Sequence, residues 1–385
     1  MFEKKDKILL EEKMKKNIKG LIFWGLIFIL IISCSQEKQK IIKIGVIGPF
    51  TGEGATYGAA MKRGIELAVE EVNTQGGLLN REVQTIYEDS RLNPKDAINA
   101  FTKLVNSDKV QVIIGAAASK VTLNLAPFAE KAKVVLISSI STADKLKDAG
   151  DYIFRDVPPN LQQGISAAKF VKYTLKKNRA VIFYKNDDYG ISLAKAFEDY
   201  FKKIGGNILL VESYQPNQTN FRNQLSKISK VNPEVVFFPG NYEDTGKILK
   251  QARELKINAD FVGGDGSYSP ELIKIAGAAA EGSYFTVMAL PPDTSQIFST
   301  FRRRFIEKYG EEPDVYSVYS YDAAMVIFKA IKAAGKYNGP DIKDQLYKIK
   351  YSGITGLIQF DQFGEVKKDY AIYTVKNGKF ILYKK

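Results

Sequence analysis

From Ile41 onward the chain alternates short apolar runs with amphipathic ones. The run "IIKIGVI" reads as a strand, and Met61, Ile65, Ala68, Val69 and Val72 then recur at helical spacing until "NTQGG" ends the helix. "VQTIYED" is a second strand. Asn93-Pro94 caps a helix carrying Ala97, Ile98, Phe101, Leu104 and Val105. "VQVIIG" and "VVLISS" are further strands with a helix between them. The cycle restarts after "VPPN" with "AVIFY", "ILLVESY", "EVVFFPG" and "DFVGGD". These strands are continuously apolar, as expected when both faces of a sheet are covered, and their alternation with helices predicts parallel, doubly wound sheets. "MALPPD" breaks the pattern. Two long helices follow, at Thr294–Tyr309 and Val315–Ala334, and the chain finishes in a meander of "GLIQFDQFGEV", "YAIYTV" and "KFILYK". Two α/β lobes joined by several crossings accommodate both βα runs and the leftover elements.

Composition narrows the chemistry. The 385 residues include no histidine and one cysteine, which excludes an internal disulfide and any histidine-based catalysis or metal binding. No nucleophile elbow or metal-ligand spacing is present. The net charge of +13 is scattered, its densest cluster, Arg302-Arg303-Arg304, lies in a helical pattern, and no aromatic ladder accompanies it, so nucleic acid is not an expected partner. Near the N-terminus, Lys13–Lys19 is basic, Leu21–Ile32 is apolar and "SCS" follows. Those twelve apolar residues fall short of the ~20 a spanning helix needs and fit a secretory h-region. Met14 would open a compact signal, so residues 1–13 read as a mis-assigned start. Ile31-Ile32-Ser33-Cys34 resembles a bacterial lipobox, with Cys34 as the lipidated residue and 34–40 as a short polar tether.

The stretch "GPFTGEGATYGAAMKRG" offers a glycine-rich turn between strand and helix. A dinucleotide loop needs G-x-G-x-x-G. Here Gly45, Gly48, Gly52, Gly54 and Gly58 miss that spacing, Pro49 intervenes, and no phosphate-loop lysine follows. A nucleotide is therefore not an expected ligand of this loop. Ser119 closes "VIIGAAAS" where a strand meets a helix, a position that reads first as a plain cap and also suits an anion. Thr142 in "LISSISTADKL" has the same two readings. Tyr189 in "NDDYG" could wall a site or pack at a junction, and Asp265 after "FVGG" could bind a cation or form an Asx turn.

Taken in order, "IGVIGPFTGEGATYG", "NTQGG", "YEDSRLNPKDA", "VIIG…S", "NDDYG", "QAREL…FVGGDG", "YDAA" and "TGLIQFDQFGEV" resemble the type I periplasmic-binding-protein family, in its branched-chain (Leu/Ile/Val) amino-acid-binding group of ABC importers. The resemblance runs from Ile41 to the end. It implies an α/β fold of two doubly wound lobes joined by a three-segment hinge, with lobe 1 at 41–156 and 289–355 and lobe 2 at 157–288 and 356–385. It also implies crossings near Asp156–Pro159, Val287–Pro291 and Thr355–Ile358. By the same resemblance Tyr57 walls the ligand side chain, Ser119 and Thr142 bind its carboxylate, and the Ile140 carbonyl, beside Ser141, accepts from its ammonium. Tyr189 closes over the ligand from the second lobe and Asp265 faces the ammonium, one methylene shorter than the family's usual glutamate. Asn241 stands where an aromatic is common, and Tyr321 is a wall candidate with Tyr319 as its rival.

The expected ligand is an amino acid with a branched-chain or other apolar side chain. The expected partners are ABC permease subunits and a lipid anchor at the cell envelope, for a monomer without cofactor or catalytic activity. A ligand-sensing receptor domain of the same fold is the alternative, and an enzyme on a doubly wound scaffold a weaker one. If Cys34 carries the anchor, Cys34→Ser should shift the protein from membrane to soluble or precursor fractions; full retention in membranes would favour an uncleaved helix.

Overall fold

The computed structural model describes residues 41–384, so the signal, lipobox and tether expected at 1–40 lie outside the described residues. In the first lobe, β1 (Ile42–Gly48), β2 (Val83–Asp89), β3 (Val112–Gly115), β4 (Val135–Ser138) and β5 (Ile153–Arg155) form one parallel sheet in the order β2-β1-β3-β4-β5. Helices α1 (Ala55–Thr74), α2 (Pro94–Asn106) and α3 (Ser119–Ala132) connect the first four strands. The continuously apolar strands are the central ones: every residue of β3 and β4 is buried, whereas edge strand β2 is mostly half-buried. As the spacing predicts, α2 starts at Pro94, and the Asn93 side chain accepts from the Lys95 and Asp96 amides.

The second lobe begins with α4 (Asn160–Lys169). Its strands β6 (Arg179–Lys185), β7 (Asn207–Tyr214), β8 (Val235–Phe237) and β9 (Asp260–Gly263) alternate with α5 (Asp188–Lys203), α6 (Arg222–Lys230) and α7 (Tyr242–Glu254). After α8 (Pro270–Ala276) comes β10 (Tyr284–Met288). The chain then returns to the first lobe as α9 (Gln296–Tyr309), α10 (Val315–Ala334) and α11 (Gly339–Leu346), followed by the hairpin β11 (Tyr351–Gly353) and β12 (Gly356–Ile358). Finally β13 (Tyr370–Lys376) and β14 (Lys379–Leu382) complete the second sheet, ordered β14-β13-β10-β9-β8-β6-β7. That sheet is mixed: β13 runs antiparallel to β10 and β14 antiparallel to β13, so the terminal meander supplies an antiparallel edge to an otherwise parallel sheet.

One boundary differs from the expectation. The segment from Thr355 to Ile358 does not cross to lobe 2, because β12 satisfies its backbone by pairing with β11. The chain stays on lobe 1 further still: the Phe360 ring packs on Phe154 at 5.1 Å, the Gly364 carbonyl accepts from the Arg155 amide at 3.0 Å, and Glu365 pairs with Arg155. The third crossing therefore lies between Glu365 and Tyr370.

The three crossings meet at a buried ionic cluster. Lys368, on the third, is 7% exposed; it donates to Thr355 Oγ1 at 2.6 Å and lies 4.5 Å from the centre of the Tyr319 ring. Tyr319 in turn donates to the Ala289 carbonyl of the second crossing at 3.1 Å. Asp322 accepts from the amides of Ile354 and Thr355 at 2.9 and 2.7 Å. Asp156, on the first crossing, is fully buried and neither carboxyl oxygen has a hydrogen-bond partner. Burial pushes the Asp156 carboxyl up to about 8, with Lys368 opposing and Asp322 reinforcing that shift.

A carboxyl raised this far holds a proton that the unfolded chain releases near pH ~4, so its contribution to stability is full below that value and is lost as pH rises to about 8. Asp156→Asn removes this term. In denaturant melts, the variant should gain stability relative to the parent on going from about pH 5 to about pH 8; a constant difference would show that Asp156 does not titrate in this window.

Candidate functional site

The carboxyl ends of the parallel strands of both sheets face one another, and a cavity of about 250 Å³ lies between them. Open α/β sheets place ligand crevices at these strand ends. Tyr57, Ser119 and Ile140 line the cavity from lobe 1, and Tyr189, Asn241 and Asp265 from lobe 2. Two close approaches shape its lobe 1 wall. A Cβ on Gly58 would lie 2.1 Å from the Pro49 carbonyl oxygen, so only glycine lets α1 start against the preceding loop. A Cβ on Gly64 would lie 2.0 Å from the Ser317 carbonyl oxygen, so glycine also brings α10 against α1.

That second approach delivers a residue the sequence reading missed. Tyr316, at the start of α10, lines the cavity; its ring meets Tyr57 edge-on at 5.2 Å and its hydroxyl donates to the Asp265 carbonyl. Tyr321 is instead outside the cleft. It donates to Glu71 at 2.7 Å and packs on Phe301, in a separate groove walled by α1, α9 and α10. Five residues turn a helix by roughly 500°, which leaves Tyr321 about 140° around from Tyr316. Tyr319, the rival candidate, belongs to the hinge cluster. The signal that could have found Tyr316 was the "YSVYSY" run read at helical rather than motif spacing.

The lobe 2 end of the cavity is organised around Asp265, which is 2% exposed. Its Oδ1 accepts from the Tyr189 hydroxyl at 2.8 Å, and the Gly266 amide donates to the same hydroxyl at 3.1 Å. Tyr57 donates to the Gly266 carbonyl. Three phenols thus hold this turn, and burial pushes each well above its ordinary value, so all three remain protonated donors. Burial also pushes the Asp265 carboxyl up, while hydrogen bonds from Tyr189 and Gln163 pull it back; no cationic side chain is among the groups that hold it down. A buried carboxylate with neutral neighbours can accept a ligand cation and gain by doing so.

At the other wall, helix α3 begins with Ser119 as its first residue. Ala118 occupies the cap and provides no side-chain cap, so the reading of Ser119 as a plain N-cap does not hold. The Ser119 hydroxyl accepts from the Ala143 amide at 3.1 Å and keeps its own hydrogen to donate. Thr142, 1% exposed, has a hydroxyl with no hydrogen-bond partner, and it caps nothing: Ala143 is the cap of the following 3₁₀ turn, Asp144–Asp148. Ser141 is spent internally, with its hydroxyl 3.0 Å from the Ala116 carbonyl and 2.8 Å from Thr122 Oγ1. Of these residues only Ser119 lines the cavity, with Ser141 and Thr142 buried behind it, and the uncapped helix end with the Ser119 hydroxyl suits an anion. The cavity therefore sets a helix N-terminus and the Ser119 hydroxyl against a buried carboxylate, and aromatic rings stand beside them. Among the described residues no cluster of histidine, cysteine, aspartate or glutamate could hold a metal ion.

This chain belongs to the periplasmic binding protein family. The family model matches residues 41–379, nearly all of the described chain. An amino acid binding protein of Pseudomonas aeruginosa is 28% identical over 350 residues, covering 89% of this chain and 92% of its own length. The leucine-, isoleucine-, valine-, threonine- and alanine-binding protein of the same organism is 27% identical, covering 86% and 89%. The solved leucine binding protein LivK of Thermotoga maritima superposes with a TM-score of 0.85 at 32% identity, covering 89% of this chain and 98% of that one. LivJ of Streptococcus pneumoniae, solved with isoleucine, gives 0.83 at 32% identity over the same shares. LivJ is the substrate binding protein of a branched-chain amino acid transporter, and membership of the periplasmic binding protein family implies an extracytoplasmic location. Among the described residues no helix is long and apolar enough to cross a membrane.

The Thr142 hydroxyl makes no bond within the protein, so Thr142→Val, of similar shape, should leave the ligand-free melting temperature unchanged or slightly raised. If it binds a ligand carboxylate, the same variant loses about 1.5–3 kcal/mol of affinity, roughly ten- to a hundredfold. Scanning calorimetry and ligand titration separate the two effects; a drop in ligand-free stability with full affinity would make the hydroxyl structural.

Proposed function

We propose that this chain captures a free α-amino acid, with a branched-chain or other apolar side chain, between its lobes and delivers it to the permease of an ABC importer. It does so as a monomer held to the membrane by lipid on Cys34. The observation that carries this reading is Asp265, a buried carboxylate at a strand end without a cationic partner, in one cavity with the uncapped helix N-terminus that starts at Ser119. An α-amino acid presents an ammonium and a carboxylate a few bonds apart, and both must be paired if they are to leave water. The Tyr57–Tyr316 edge contact supplies an apolar wall for the side chain. The names of the relatives, which bind leucine, isoleucine, valine and in one instance threonine and alanine, support the same class of ligand.

Asp265→Asn tests the assignment, because it keeps the size and the acceptor for Tyr189. Stranding a buried ammonium costs about 3–5 kcal/mol, a loss of several hundredfold or more. The variant should lose that much affinity for the amino acid and far less for its deaminated analogue, as read by calorimetric titration of both ligands against both proteins. Equal losses for the two ligands, or no loss, would overturn the assignment of Asp265 to the ammonium.

A further inference from the structure

The rim of the same cavity carries an ion pair, Glu53 with Lys185, to which the amino-acid reading gives no ligand contact. Lys185, at the carboxyl end of β6, is 4% exposed and pairs with Asp244 of α7 at 2.9 Å. Both belong to lobe 2. The third member comes from the other lobe: Glu53 of the β1–α1 loop places Oε1 2.9 Å from Lys185 Nζ and 3.3 Å from the Asn241 side-chain nitrogen. The loop that presents Glu53 is fixed from below. Asp89, at the end of β2, accepts from the Phe50 amide at 2.9 Å and from the Arg91 amide at 3.0 Å, and also takes the Thr51 hydroxyl. Beside the cluster, the Gly54 amide donates to Glu243 Oε1 at 3.2 Å and the Tyr57 ring meets Tyr242 edge-on at 5.1 Å.

We infer that Glu53 is a positioning residue for closure: its carboxylate docks across the mouth onto Lys185 and Asn241, and this contact sets how long the closed cleft retains its ligand. The inference rests on the reading of the cleft as an amino-acid site that opens and closes. Burial pushes the Glu53 carboxyl up, but Lys185, Asn241 and Lys247 more than offset it, so the group is held below its ordinary value and stays charged at neutral pH. Opening the cleft strips Glu53 from Lys185 and leaves Lys185 with Asp244, so no charge is orphaned. The contact is one ion-paired hydrogen bond from Lys185 and a longer one from Asn241, and a third of the Glu53 side chain remains exposed, which screens both. A modest latch follows, not an irreversible clasp.

The test is a stopped-flow and calorimetric comparison of the parent protein with Glu53→Gln and Glu53→Asp, using two tightly bound amino acids of different side chain chosen from a screen of the common set. Glu53→Gln should raise the dissociation rate about tenfold for both ligands by the same factor, with association changed less than about twofold. Glu53→Asp should restore part of the loss, the ligand-free melting temperature should not move, and raised salt should shrink the difference between parent and variant. Equal dissociation rates overturn the latch. So does a loss that depends on the ligand side chain, since Glu53 would then touch the ligand, and so does a loss confined to ligand-free stability. If no amino acid binds the parent, the ligand assignment falls, and the latch is then judged on ligand-free protein by small-angle scattering. Glu53→Gln should still have the larger radius of gyration at low salt, and identical radii would overturn it.

Discussion

A charge can leave water only if something else takes over its solvation, and this constraint shapes the molecule at each place where the two lobes meet. Asp265 is the clearest instance. It is almost fully buried and no cation is among the groups holding down its carboxyl, yet three phenols and a backbone turn keep it where it is. A folded chain tolerates such a group when the cost is recovered elsewhere, and in a binding protein the ligand can recover it. Tyr57 donates across the cleft to Gly266, which ties the strength of the lobe-to-lobe contact to the geometry of the Asp265 turn.

The hinge solves the same problem with internal partners. Lys368 sits between Asp322 and Asp156 at the place where all three crossings meet. Asp322 is well solvated by backbone amides; Asp156 is not, and its raised carboxyl follows from that difference. The cleft mouth shows a third solution, in which Lys185 and Asp244 neutralise each other inside one lobe and Glu53 joins from the other. These sites differ in their partners: the hinge carboxylates face Lys368, the Lys185–Asp244 pair gains Glu53 from the other lobe, and Asp265 has no cationic side chain beside it.

How much of this was legible in the sequence depends on how local the determining physics is. Strand β2 and helices α2 and α10 follow from apolar period and an Asn-Pro cap, and the structure places them at the predicted residues. Six of the nine candidate ligand residues line one cavity, although they are scattered from Tyr57 to Asp265, because each sits just past a strand end, where the doubly wound topology must gather them. The errors arise where a long-range contact decides. The bond from the Arg155 amide to Gly364 and the packing of Phe360 on Phe154 hold the chain on lobe 1 past the predicted crossing, and in both the partner lies some two hundred residues away in sequence. The mixed second sheet is the same kind of case, since nothing local tells a meander which edge it will join.

Tyr321 and Tyr316 separate motif from mechanism. Both lie in one helix and both are buried, so neither composition nor burial chooses between them. What chooses is helix phase relative to Gly64, the glycine that allows α1 and α10 to touch at Ser317. A residue one position before that contact is carried to the Tyr57 ring, and a residue four positions after it is turned toward Glu71 and Phe301. A larger residue at Gly64 would push α10 away from α1 and withdraw Tyr316 from both Tyr57 and the Asp265 carbonyl. The wall of the cleft and the support of its central carboxylate would be lost together, although Gly64 itself touches neither.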